Sequence, residues 1–438
     1  MKGQWRKATE SCLKVLDNSG PGGGKHIKSL ALATLGLVKA LEGDGQGAVE
    51  AVDESFVMRS EIGGDSFLTF QYLYAGAAHA ALGDLENASA NLEKALLMSD
   101  RFLGEFVKAA ARMNLAYAYL MNGDEEGCAL QAEKFLEHIS RFPARNIVTL
   151  HPGILKVVAL AVKRDLKPAP NLAVLRDIFG KSITADGEVV EAMRVFALGG
   201  LSISWGRKGL GMDDLTPVQR QFLAHLLCAP GFRMEKEALA VLLWPDGSRR
   251  KAIANFDMTL SRLRKAIDDL LDDKLSRHYL VVKNGVVGFD HCDVDVELFT
   301  AAAAKGLAPT EGQTAWDGAN RLREAEFHWK GELFIGLEVP DDAYHRRDQL
   351  TSLYREVVET LVVRYNELGL AREAERTLRK ALLSMPADGR VNQLLSMLLT
   401  AEQDITGAKA VEEAFTEALR KKGFTPQEIK EQLDGFWQ

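Results

Sequence analysis

The sequence predicts a mainly α protein in three parts: a helical solenoid, a module of three helices bracketed by small β-hairpins, and a second helical-repeat region. Three observations predict it. Glycines recur 40 residues apart at Gly3, Gly43, Gly83 and Gly123. The apolar period switches from helical to alternating at residues 193–205 and 279–289, with three helical stretches between them. A second set of turn marks, starting at Glu367-Leu-Gly369, recurs after 34 residues.

The first array follows from its small residues. Five positions after each glycine stands Ala8, Ala48, Ala88 or Cys128, and seven before the last three stand Gly36, Gly76 and Ala116. Glycine supplies the positive φ that ends one helix, and the small residues let the next helix approach closely. Asp44, Asp84 and Asp124 follow their glycines and suit the cap of the second helix. A fifth, degraded unit keeps Leu155 but has Lys163 at the glycine position, and Pro168-Ala-Pro170 interrupts any helix beyond it. Gly3 is a mid-repeat turn, so the register leads one to expect the first helix of that unit upstream. Ser19-Gly-Pro-Gly-Gly-Gly-Lys25-His26 superficially suggests a phosphate loop, but Ser19 replaces the leading Gly, His26 replaces Ser/Thr, and no strand precedes it. It reads as an inter-repeat loop. These marks resemble the tetratricopeptide repeat in the longer form found in MalT-like regulators, which implies a solenoid over 1–185 that receives a signal or partner. In such regulators a nucleotide-dependent switch would lie upstream.

The middle module begins with Met193-Arg-Val-Phe-Ala-Leu198 and Leu201-Ser-Ile-Ser-Trp205 around Gly199-Gly200, a hairpin pattern. Thr216-Pro217 opens a first helix, with Thr as cap and Pro at the first helical position, ending near Cys228. A second helix spans about 235–243 and stops before Pro245. A third starts near Ser248 and runs to about Leu271. On the third, Ile253, Phe256, Leu260, Leu263 and Ile267 form one apolar stripe, and Lys251, Asn255, Met258, Arg262 and Lys265 fall opposite, with Thr259 on the flank. Arg249 to Lys265 holds six basic residues and one acidic, Asp257, which the helical angle places nearer the core edge beside Arg264 and which reads as an intramolecular partner and not as a base reader. Tyr279-Leu-Val-Val282 and Val286-Val-Gly-Phe289 are joined through Lys283-Asn284-Gly285, and Asn-Gly is the strongest short hairpin signal.

Charge distribution agrees. The chain carries a net charge of −7, yet residues 193–290 hold 15 Lys and Arg against 11 Asp and Glu, and the remainder 39 against 50. A basic island in an acidic chain is where an anionic polymer docks. A greasy underside backed by a cationic, hydrogen-bonding face suits a helix in the major groove of double-stranded DNA.

The order of hairpin, three helices and hairpin resembles the OmpR-type winged helix-turn-helix. The match lies in Leu215-Thr-Pro-Val-Gln-Arg-Gln-Phe222, Glu237-Ala-Leu239, Leu243-Trp244-Pro245 and Leu260-Ser-Arg-Leu-Arg-Lys-Ala-Ile267. It implies a DNA-binding domain over 190–292. Lys251, Asn255, Thr259 and Arg262, with Met258 and Lys265 on the same face, would be turned to the bases. Lys236, Arg249, Arg250, Lys283 and Asn284 would lie along the phosphates. Asp257 and Met258 are less usual choices in that family and leave the target sequence open.

Further on stand Asp293-Val-Asp295-Val-Glu-Leu-Phe299, then Trp329-Lys-Gly331-Glu-Leu-Phe334 and Tyr354. A helix–turn–helix marked by Gly369, Ala374, Ala381 and Pro386 follows and is echoed at Gln403-Asp404 and Ala408. This block is similar to the bacterial transcriptional activator domain of Streptomyces antibiotic regulatory proteins. It implies helical repeats over 293–438 that couple to RNA polymerase or to neighbouring protomers in a homo-oligomer. The resemblance covers about residues 193–425.

Other chemistries find no support. Cys12, Cys128, Cys228 and Cys292 are scattered without a C-x-x-C pair, which points away from zinc or a disulfide framework and toward a reducing, cytoplasmic setting. The nine histidines show no metal spacing, and His151, His278 and His291 stand alone. No nucleophile motif occurs. No apolar run of about 18 residues exists to span a membrane. Asp268-Asp269 and Asp272-Asp273 read as a solvated loop at a helix end. The expectation is a non-catalytic transcription regulator, without metal or cofactor. The rival is a protein-interaction scaffold whose winged helix binds protein.

Overall fold

The computed structural model describes residues 5–18, 24–61, 67–99, 104–141, 148–166, 176, 178–308, 312, 314–338 and 341–434. Gly3, Ser19 to Gly23 and Pro168 to Pro170 lie outside them. The chain divides into two compact units, residues 1–192 and 193–438.

The first unit is a stack of helices: α1 (Trp5–Asn18), α2 (Lys25–Glu42), α3 (Gly45–Ser60), α4 (Leu68–Leu82), α5 (Leu85–Ser99), α6 (Gly104–Met121), α7 (Glu125–Arg141) and α8 (Ile154–Lys163). Gly43, Gly83 and Gly123 adopt φ of 89°, 77° and 77°, closing α2, α4 and α6 as the 40-residue spacing predicts. Asp44, Asp84 and Asp124 then accept from the backbone N–H of Gly47, Asn87 and Gly127. Ala48, Ala88 and Cys128 are fully buried. A Cβ on Gly76 would sit 2.5 Å from Leu92 Cγ, so the closeness of α4 to α5 depends on that glycine. Lys25 and His26, from the phosphate-loop look-alike, begin helix α2. Lys25 pairs with Glu61 at 2.9 Å. The fifth unit contributes α8, followed two residues after its end by Asp165 in a left-handed turn (φ 52°). A hairpin of β1 (Lys181–Ile183) and β2 (Val189–Glu191) then packs on α8, with Ile183 in the same core as Leu155.

In the second unit, β3 (Met193–Phe196) and β4 (Ser202–Trp205) form the expected hairpin. It is widened into a four-stranded sheet by β5 (Lys208–Leu210) and by β9 (Cys292–Val294), which runs parallel to β3. Between them lie α9 (Pro217–Cys228), β6 (Arg233–Glu235), α10 (Lys236–Leu243), α11 (Arg249–Leu271), α12 (Ser276–Tyr279), β7 (Leu280–Lys283) and β8 (Val286–Phe289), with β6-β8-β7 as a second sheet. Thr216 and Gln219 form a capping box at the start of α9, with Pro217 at its first turn. The core is aromatic: Phe222 lies 5.4 Å from Phe256, and Trp205 meets Tyr279 edge-on.

The repeats of the same unit are α13 (Asp295–Leu307), α14 (Ala315–His328), α15 (Asp341–Glu367), α16 (Ala371–Ser384), α17 (Gly389–Ala401), α18 (Ile405–Lys421) and α19 (Pro426–Asp434). Trp329 stacks on Tyr354 at 4.4 Å and meets Phe299, so the three aromatic marks of the sequence share one core. Main-chain bonds tie these repeats to the β3–β4 turn. Gly199 N–H donates to Glu332 O, Phe334 N–H donates to Ala197 O, and Leu198 and Leu333 form a bridge. Gly199 (φ 82°) would bring a Cβ to 2.7 Å from Lys330 O. The protein is therefore mainly α, with two sets of helical repeats and small hairpins.

Candidate nucleic-acid interface

Helix α11 is the longest element of the three-helix module, at 23 residues. Ser248 Oγ accepts from Lys251 N–H at its start, and Asp272 (φ 57°) ends it in a left-handed turn. Phe256, Leu260, Leu263 and Ile267 are buried beneath it, and Ile253 is half-buried. At about 100° per residue, the direction opposite the centre of this buried stripe falls within roughly 10° of Met258. Met258 is 52% exposed. Lys251, Arg262 and Lys265 are exposed and lie within roughly 40° of it, and Asn255 is half-buried at about 60°. Ala254 and Ser261, not anticipated as part of this face, are also exposed there.

Thr259 is a correction. Expected to turn toward bases, it is only 6% exposed. Its position, about 100° from Met258, falls on the side where the module packs. Asp257 is an intramolecular partner, as expected, but it pairs with Lys236 of α10, at 2.6 Å, and not with the neighbouring Arg264. The Arg264 guanidinium turns away and donates to Leu280 O at the base of the wing, and its burial pulls its pKa down.

The residues expected along phosphates carry acidic partners. Lys236 also lies 5.6 Å from the centre of the Phe256 ring. Arg249 pairs with Glu237. Lys283, at the wing, is 3.6 Å from Asp290, which also holds Arg233. Arg250 is exposed. Such partly exposed pairs contribute only about 0 to 1 kcal/mol each, so they give way readily to a phosphate. The wing turn is Asn284 (φ 51°) and Gly285 (φ 78°), both exposed, with two successive positive φ values as the Asn-Gly signal requires.

The acidic end of α11 has its own ties. Asp268 accepts from Ser276 N–H and Asp272 pairs with Lys208 at 2.7 Å. With Asp269, Asp273, Lys274 and Arg277 they line an open groove of about 1050 Å³. Among the described residues no group of three His, Cys, Asp or Glu side chains is placed to hold a metal, and no disulfide joins the four cysteines. Among them, too, no helix is long and apolar enough to cross a membrane.

No family model matches the sequence, and no curated protein matches it. Among solved structures, the chain is similar to Mycobacterium tuberculosis EmbR in complex with a low-affinity phosphopeptide. Identity is 18% over 56% of this chain, with a TM-score of 0.37. The match spans 65% of the EmbR chain, just under two thirds. It is also similar to the tetratricopeptide domain of P58(IPK), at 12% identity over 99% of this chain and 93% of that one, with a TM-score of 0.18. A structure of Naa15/Naa10 bound to HypK-THB matches at 12% identity over 95% of this chain and 66% of that one, with a TM-score of 0.20.

Proposed function

We propose that the protein is a sequence-specific, double-stranded-DNA-binding transcription regulator. The observation that carries this reading is the geometry of α11. Its apolar side is sealed beneath it, while Lys251, Met258, Arg262 and Lys265 stand exposed along the opposite side. Asn255 lies at the edge of that face. A helix about 10–12 Å wide with such a face fits the major groove, where Asn and Arg can pair with base edges. Lys283 and Asn284 at the wing tip, with Arg249, Arg250 and Lys236 around the start of α11, supply phosphate contacts that set its register. Thr259 supports α11 from the side and reads nothing. On this reading the chain is a binding protein in the cytoplasm, with no catalytic step. Its two repeat arrays offer helical surfaces to a signal or partner protein, and by family resemblance the C-terminal one meets RNA polymerase or a second protomer, favouring activation.

A second reading, a scaffold whose winged helix binds protein, is favoured by Val241 and Leu242 of α10, which are 48% and 50% exposed. Fluorescence anisotropy with labelled random-sequence duplexes separates the two. DNA binding in low salt that Arg262→Ala weakens severalfold supports the first. Negligible binding, or binding indifferent to Arg262→Ala, overturns it in favour of the scaffold.

A further inference from the structure

Resting on the DNA reading above, we propose that Met258 selects a thymine in the target by packing against its C5-methyl group. Met258 occupies the outermost line of α11, the position that penetrates deepest when the helix lies in the groove. Lys251 and Lys265 lie within about 20° of Met258 but seven residues away along the axis, and Ala254 and Ser261, about 40° and 60° to one side, are too short to reach past it. Lys251, Arg262 and Lys265 flank it with charged ends that turn to polar edges. The centre of the reading face is thus an apolar, unbranched side chain, 52% exposed and without a hydrogen-bond donor.

The chemistry of the groove leaves one complement for such a side chain. Every base pair presents donors and acceptors in the major groove, and only thymine adds an apolar group there. Against guanine or cytosine the thioether would strip water from O6, N7 or the N4 amine and give no hydrogen bond in return. Against thymine it covers the methyl. Thr259, whose own methyl could have served, is excluded because it is buried. The flexibility of Met lets it settle on the methyl without fixing the exact tilt of α11.

The test uses the full chain. Duplexes retained from a random pool define the preferred sequence, and each of its thymines is then replaced singly by deoxyuridine. That change keeps base pairing and the O4 acceptor and removes only the methyl. At one thymine position the replacement weakens the wild-type protein about fourfold, the effect of losing one buried methyl. Met258→Ala binds the thymine and deoxyuridine duplexes alike, and Met258→Leu keeps the discrimination. Exposure of Met258 makes loss of folding in these variants a minor concern, and circular dichroism checks it. If the wild type binds a preferred sequence yet ignores deoxyuridine everywhere, or if Met258→Ala keeps the same penalty, the assignment of Met258 is overturned while the DNA reading stands. If the pool yields no retained duplex in low salt, the DNA reading fails and this assignment with it.

Discussion

The Lys236 ammonium lies 2.6 Å from the Asp257 carboxylate, bridging α10 to the start of the exposed face of α11. Asp257 is the one acidic side chain between Arg249 and Lys265. It holds a cation that would otherwise be available to phosphate, and it places negative charge near the DNA backbone. Both partners are partly exposed, so the pair contributes at most about 1 kcal/mol to folding. Asp257→Asn is expected to leave the melting temperature nearly unchanged and to tighten binding to duplex DNA severalfold at low salt, with the gain shrinking as salt rises. Anisotropy titrations at two salt concentrations check this.

Asp295 ties the β3–β4 turn to the first repeat helix of the second unit. Its carboxylate accepts from Ala197 N–H and Leu198 N–H, each at 2.9 Å, and it is 5% exposed. Burial pushes its pKa up to about 6, against the pull of those hydrogen bonds. The native carboxyl therefore holds its proton between pH 4 and 6 while the unfolded chain, with an ordinary value of about 3.9, has released it. The sign follows: this contribution is full below about pH 4 and is lost as pH rises through 6, by roughly 3 kcal/mol. Asp295→Asn should flatten that dependence, and Asp295→Ala should lower stability at every pH by roughly 2 to 4 kcal/mol, since two buried N–H groups lose their acceptor. Melting curves of the three proteins from pH 4 to 7 measure it.

Gly76 sets the spacing of α4 and α5, because an added Cβ would meet Leu92 at 2.5 Å. Gly76→Val should destabilise the first unit by about 1 to 3 kcal/mol through overpacking. Gly76 lies in the first compact unit and α11 in the second, so affinity for duplex DNA at 10 °C should stay unchanged. Thermal unfolding and anisotropy on the same sample compare the two effects.

His151 is fully buried in the first unit, with Tyr117 edge-on at 4.7 Å between ring centres. Burial pushes its pKa down to about 4. The unfolded chain takes up a proton near pH 6.5 that the native ring refuses, so stability present above that pH is lost as pH falls toward 4, by roughly 3 kcal/mol. His151→Phe keeps a ring against Tyr117 and should remove this acid sensitivity. Urea unfolding at pH 7 and pH 4.5 tests it, and an equal loss in both proteins would place the sensitivity elsewhere.

The elements that were legible in sequence each had a local cause. Gly43, Gly83 and Gly123 mark positive φ, Thr216-Pro217 marks a capped helix start, and Asn284-Gly285 marks a turn that few other dipeptides can make. What was hidden depended on partners distant in sequence. Thr259 lies at a helix angle between the exposed and buried sides, and only the packing of neighbouring elements decides which way it counts. Asp257 finds Lys236, 21 residues earlier, because α10 crosses there, whereas helix angle alone favoured Arg264. β5, β6 and β9 are three residues long, too short for an alternating pattern to show. The β1–β2 hairpin did leave a readable trace in Asp186-Gly187, an Asp-Gly turn with Gly187 at φ 80°, between Ser182-Ile183 and Val189-Val190.

The central claim is that the outer side of α11 meets duplex DNA, and the salt dependence of binding tests it most directly. Each phosphate neutralised by a Lys or Arg adds about 0.9 to the slope of log affinity against log salt. The wild-type chain is expected to show a steep negative slope, and the combined variant Arg249→Ala, Arg250→Ala, Lys283→Ala, which removes three phosphate contacts at the start of α11 and at the wing, a weaker affinity with a slope shallower by up to about 3. A wild-type affinity that does not change with salt, or a slope that the triple variant leaves intact, would contradict it.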